Sequence, residues 1–120
     1  MRFSANQKDI QTSLNYCQGV IEKRSTLPIL SNVLLNVEKS LLTLTATDLD
    51  LIFIHKIQNI EVIEEGKTTT SSSIMYDIIR KISSGKKINF SNAGSSKLNL
   101  ESDKSVFNLN CIDASEFPLT

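Results

Sequence analysis

Apolar residues in this chain change their spacing several times, and each change marks an element. Met1, Phe3 and Ala5 alternate with polar residues, which predicts a short opening strand. The period then lengthens: Ile10, Leu14, Cys17 and Ile21 fall on one face of a helix that ends between Gly19 and Glu22. Asn6 is placed to cap this helix, and Asp9 suits the positive end of its dipole. A polar connector, Glu22 to Thr26, leads to Leu27-Pro28. Proline has no N–H for a ladder, so Pro28 is expected at the first position of a strand. Val33, Leu35 and Val37 share one face of that strand. After a turn at Glu38-Lys39-Ser40, Leu42, Leu44 and Ala46 alternate with Thr43, Thr45 and Thr47, as in an antiparallel sheet with one wet side.

Alternation continues from Leu49 to Ile63, which predicts one long strand, and Lys67 to Ser71 predicts a short threonine-rich one. Ser71, Ser72 or Ser73 then caps a second helix with an apolar face of Ile74, Ile78 and Ile82, flanked by Met75 and Ile79 and closed by Gly85. Three further strands are expected over Ile88 to Ser91, Lys97 to Glu101 and Lys104 to Ile112. The element order is thus strand, helix, three strands, followed by the same order again from about Lys67. Two amphipathic helices cannot cover both faces of eight strands. The fold class expected is therefore α+β, with both helices on one face of an antiparallel sheet.

A length of 120 residues makes residues 1–120 a single domain. No apolar run approaches the ~20 residues of a membrane-spanning helix, and the start has no signal-like apolar stretch, so the expectation is a cytoplasmic protein with no membrane partner. Cys17 and Cys111 sit at apolar positions of the pattern, as free thiols do; one histidine and no paired cysteines leave no zinc set. Thirteen basic and thirteen acidic residues give a net charge of zero. The distribution is uneven, however. In the helices and their flanks, residues 7–25 and 72–87, seven basic residues stand against three acidic ones, leaving about +4 there and −4 in the strands and turns.

No catalytic constellation emerges, and no metal or cofactor site. Gly66-Lys67-Thr68 ends like a phosphate-binding loop but has Glu61 where the leading glycine belongs, and it opens a strand. Asp48 and Asp50 offer two carboxylates, too few for a cation site, and read as a strand corner. His55 lacks a nucleophile context. Scattered aromatics and no tryptophan give no base-stacking platform. The last strand carries apolar residues on both faces, which fits either an edge paired with another chain or a central strand.

Thr26-Leu27-Pro28-Ile29-Leu30-Ser31-Asn32, together with Leu42-Thr43-Leu44-Thr45-Ala46-Thr47-Asp48-Leu49, closely resembles the bacterial β sliding clamps, processivity subunits of DNA polymerase III. Met1-Arg2-Phe3, Gly66-Lys67-Thr68-Thr69, Tyr76-Asp77-Ile78 with Arg80, and Ala114-Ser115-Glu116-Phe117-Pro118 extend the resemblance over the whole chain, in register with the family's first domain of three. It implies a DNA clamp fold and a non-catalytic role. Such clamps are two-subunit rings that encircle duplex DNA and tether the polymerase for processive replication. The implied partners are duplex DNA through its phosphates, a second clamp subunit, DNA polymerase III and the clamp loader. By position, the resemblance makes Arg24 a DNA contact and puts Ser73 where relatives often carry a second, basic DNA contact. It places Phe107 and Leu109 on the edge strand that closes the ring. The peptide groove of the family lies in its other domains. The chain is therefore expected to be an excised domain or fragment, monomeric or weakly associated. Two rival readings remain, an adaptor domain that pairs its last strand with a partner and a metal-dependent transferase using Asp48 and Asp50. A basic helical face separates the clamp from the adaptor, which has no need of one.

Overall fold

The computed structural model describes residues 1–21, 27–92 and 96–118. Among them are two helices and nine strands, in the order β1 (Arg2–Asn6), α1 (Gln7–Gln18), β2 (Asn32–Glu38), β3 (Leu41–Thr47), β4 (Ile52–Ile57), β5 (Ile60–Glu64), β6 (Gly66–Ser71), α2 (Ser72–Ile79), β7 (Lys87–Ser91), β8 (Lys97–Ser102) and β9 (Ser105–Ile112). All pairings are antiparallel, and the strand order is β4-β3-β2-β6-β9-β8-β7-β1-β5.

The doubled order is visible in this arrangement. The first half supplies β4-β3-β2 and is completed by β6, which opens the second half. The second supplies β9-β8-β7 and is completed by β1, which opens the first. Each half therefore lacks one strand that only the other provides. β5 is the addition. The pattern from Leu49 to Ile63 predicts one strand, whereas Gln58 and Asn59 break it into β4 and β5, which lie at opposite ends of the strand order. Alternation survives the break because it records burial on a face, not continuity of a ladder. β9 makes the equivalent change within one strand: Ser105–Asn110 pairs with β8, and Cys111 and Ile112 also reach β6.

The core lies between the helices and the sheet. Ile10, Leu14 and Cys17 of α1 and Met75 and Ile79 of α2 are fully buried against Phe3, Val33, Leu35, Leu42, Leu44, Ile88, Phe90, Leu98 and Leu100. Phe3 and Phe90, opposite each other on β1 and β7, stack with centroids 4.6 Å apart. A smaller cluster forms on the other side of β2, where Ala114 and Phe117 of the chain's end cover Leu34 beside Ile29.

Five expectations change. Pro28 does not start a strand: Pro28–Ser31 is a 3-10 turn with proline in its first turn, where a missing N–H is harmless, and β2 begins at Asn32. Lys39 and Ser40 alone make the hairpin turn, both at positive φ, and the Lys39 N–H is met by Glu65 Oε2 at 2.7 Å. The far face of β3 is not simply wet, since Thr45 and Thr47 are buried. The buried stripe of α2 is Ser72, Met75 and Ile79, while Ile74 is exposed. α2 also ends at Ile79 with Arg80 as its cap residue, six residues after Ser73 and well before Gly85.

Candidate nucleic-acid interface

The helical layer presents its outer side to solvent, and side-chain hydrogen bonds fix how its two helices sit. Gln7 Nε2 donates to the Ile79 carbonyl at 2.8 Å, Tyr76 Oη to Asn15 Oδ1 at 3.3 Å, and Ser72 Oγ to Gln18 Oε1 at 2.9 Å. The start of α1 thus lies at the end of α2, so the helices run antiparallel. Between them is a cleft of about 450 Å³ lined by Gln7, Lys8, Gln11, Asn15, Tyr16 and Tyr76 among others. α1 holds its position on the sheet through His55, whose Nδ1 lies 2.9 Å from Ser13 Oγ and whose ring meets Tyr16 edge-on. His55 is a joint between helix and sheet.

The charge asymmetry counted in the sequence is thinner in three dimensions. Arg80 pairs with Asp77 at 3.3 Å, Lys86 with Asp103 at 3.2 Å, and Lys87 with Glu61 at 2.7 Å. Lys87 is moreover the first residue of β7. The hydrogen bond and the charge of Lys87 hold the Glu61 carboxyl below its usual range. Lys8 and Lys81 are exposed and have no ion-pair partner among the described residues. Exposed pairs of this kind contribute little to stability and still leave their cations partly available to an anion.

Arg24 lies outside the described residues. The chain enters its segment from Ile21, three residues after Gln18, and Gln18 touches Ser72. Ser73 is half-buried in the first turn of α2, one residue beyond Ser72. Ser71 is the helix cap, its Oγ accepting from the Ile74 N–H at 3.2 Å. Phe107 and Leu109 lie on β9, opposite Leu100 and Leu98, and Leu109 shares a hollow with Ser71 and Ile74 at the start of α2. Leu109 is buried in the core and Phe107 is half-buried. Neither alternative for β9 holds alone. It is internal in the strand order, yet only Cys111 and Ile112 pair with β6. The Asn110 carbonyl accepts from Thr70 Oγ1 at 2.8 Å, and residues 105–109 keep one ladder edge unpaired, beside exposed Val106.

Asp48 Oδ1 accepts from the Asp50 and Leu51 N–H groups at 2.9 and 2.8 Å, the strand-corner arrangement its spacing predicts, with Leu49 at positive φ between them. Burial raises the Cys17 thiol to about 12. Cys111 is half-buried beside the β6–β9 junction, its pKa also raised by burial.

Sequence reasoning passed over the neutral polar residues of α1. Gln11 and Asn15 fall four residues apart and, with Lys8 and Thr12, lie on the side away from Ile10, Leu14 and Cys17, while Gln7, one turn before Gln11, is buried against α2. That spacing is legible, but it is also what any solvated helix face shows.

Comparison with known proteins places these features. A family model described as the DNA polymerase III beta subunit, N-terminal domain, matches residues 1–120. The beta sliding clamp of Caulobacter vibrioides is 34% identical over 121 residues, and that of Escherichia coli K12 is 32% identical over 118. The alignments cover 99% and 98% of this chain and 32% of each relative. A crystal structure of the Caulobacter crescentus beta sliding clamp superposes with a TM-score of 0.95 at 32% identity, covering all of this chain and 32% of that one. A Bartonella birtlesii sliding clamp bound to griselimycin gives the same TM-score at 33% identity and the same coverage. The chain spans about a third of the length of these relatives. A whole-length family match, two-helix layer and doubled strand order all agree: the chain belongs to the DNA polymerase III beta subunit N-terminal domain family.

Proposed function

We propose that this chain is the first of three clamp domains, and that in the longer protein it forms part of a two-subunit ring around duplex DNA. The ring tethers DNA polymerase III to its template by topology and has no catalytic role. The observation that carries this reading is the pairing of a solvent-facing helical layer with an open sheet edge on β9, in a chain that matches the family from end to end. A helical layer turned toward DNA meets phosphates without reading bases, which is compatible with sliding. Arg24, six residues after Gln18 in the chain, contributes a phosphate contact. Ser73 contributes at most a hydroxyl–phosphate hydrogen bond. Phe107 and Leu109 belong to the seam with the second subunit, where the ladder edge that residues 105–109 leave unpaired receives a strand. The clamp loader opens the ring, and the assembly works in the cytoplasm. No helix among the described residues is long and apolar enough to cross a membrane.

The test is retention on DNA. The chain extended to the length of its relatives and loaded onto circular duplex should stay bound through a salt wash and be released when the circle is cut. Equal loss from circular and linear DNA would remove topological linkage. Arg24→Glu should weaken loading at low salt, and an unchanged salt profile would remove Arg24 from the contact. Alone, the 120-residue chain should scatter light as a monomer or weak dimer.

A further inference from the structure

We propose that the outer face of α1 is a strip of hydrogen-bond donors for phosphodiester oxygens, made by Lys8, Gln11, Thr12 and Asn15, with Tyr76 positioning Asn15. This rests on the clamp reading and adds to it a contact that depends little on charge. The four residues fall at i, i+3, i+4 and i+7, so they share one helix face about 10 Å long. Their neighbours fix which end of each amide points out. Gln11 Oε1 accepts from Gln7 Nε2 at 2.8 Å, and Asn15 Oδ1 accepts from Tyr76 Oη at 3.3 Å. With both carbonyl ends occupied, each NH₂ group is left to donate. Lys8 can only donate, and the Thr12 hydroxyl can turn to do so. Of the acceptors nearby, Asp77 is paired with Arg80 and Gln7 Oε1 is buried, while half-buried Asp9 shares a hollow with Lys8, Thr12, His55 and Lys56. A duplex presents one charge per ~1.7 Å of its axis, all acceptor oxygens, so a donor strip of this length can meet more than one phosphate. Neutral donors release no counterions. They hold the backbone at a strength that changes little with salt, and they favour no base.

The 120-residue chain, labelled with ¹⁵N, is titrated with a 20-base-pair duplex across a salt series. The side-chain NH₂ signals of Gln11 and Asn15 should move. Asn15→Asp, which puts an acceptor and a charge against phosphate, should weaken binding about tenfold. Tyr76→Phe frees the Asn15 amide to turn and should weaken it about threefold, with the salt slope unchanged. Lys8→Gln should instead reduce that slope by about 0.9. Thermal midpoints of the variants separate lost binding from lost fold. If the duplex shifts signals at Lys81 and Arg80 while Asn15→Asp and Gln11→Glu bind like the parent, the strip is overturned and the clamp reading stands. If no signal moves even at low salt, while the extended chain also fails retention on circular DNA, the clamp reading itself falls.

Discussion

Replacing Gly66 by alanine should destabilise this protein, against the usual effect of such a change in a strand. Gly66 opens β6, opposite Val37 on β2, and a Cβ built there would stand 2.9 Å from Met1 Cβ and 3.2 Å from Met1 Cα and N. Two of these three neighbours are backbone, so no side-chain rotation relieves the clash. Met1 is also held in place: its ammonium group meets Glu64 Oε1 at 2.7 Å, and its carbonyl accepts from the Asn92 N–H at 2.9 Å. Overpacking of this kind costs about 1–3 kcal/mol. Alanine in place of glycine also restricts the unfolded chain, which returns about 0.4–1 kcal/mol. The net loss is about 1–2 kcal/mol, or a fall of roughly 5 °C in Tm for a domain of this size. Gly85 supplies the control, because a Cβ there meets nothing within 4 Å. Gly85→Ala should therefore be neutral or stabilising by up to about 1 kcal/mol. Urea titration of both variants measures the difference. If Gly66→Ala matched Gly85→Ala, Met1 would not be fixed as described. A second check is coupling: if the clash pushes Met1 off Glu64, Gly66→Ala and Glu64→Gln should be less than additive.

Three further predictions concern the cap, the acids and the thiols. Ser71→Ala should cost about 1 kcal/mol through loss of the bond to the Ile74 N–H, whereas Ser73→Ala should leave the urea midpoint unchanged, which singles out one cap among three serines. Glu64, Glu61 and Asp113 are held below their usual values by hydrogen bonds from the Met1 ammonium, from Lys87 and from Ser115 respectively. A depressed folded pKa gives stability that is present above the ordinary values of 4.5 and 3.8 and is lost as pH falls through the folded ones, so the urea midpoint should fall below about pH 4.5 and Glu64→Gln should flatten the fall. With its thiol raised to about 12 and no exposed surface, Cys17 should resist a thiol reagent at pH 8 until the chain unfolds, and half-buried Cys111 should react first.

Spacing made both helices, most of the strands and the doubled order legible, because burial on one face imposes a period whatever lies across from it. Ile10, Leu14 and Cys17 are all at the core as their spacing requires. The same logic misassigned α2. In Ile74-Met75-Tyr76-Asp77-Ile78-Ile79 the apolar residues are dense enough to support two stripes, and the contacts with α1 and β2, not the period, select Met75 and Ile79. The charge count went astray for a related reason. Asp103 and Glu61 are distant in sequence from Lys86 and Lys87, and the sheet brings them together.

The sequence alone determined the fold class, the two helices and the family, since these depend on local periods and on residues in fixed order. Tertiary structure decided the rest. It split Ile52–Ile57 from Ile60–Glu64 and sent them to opposite ends of the strand order, and it left the edge of β9 over residues 105–109 unpaired. It also turned the amides of α1 outward by engaging their carbonyl ends. Each of these is a choice among partners far apart in the chain. A hydrophobic period states that a face is buried, and only packing states against what.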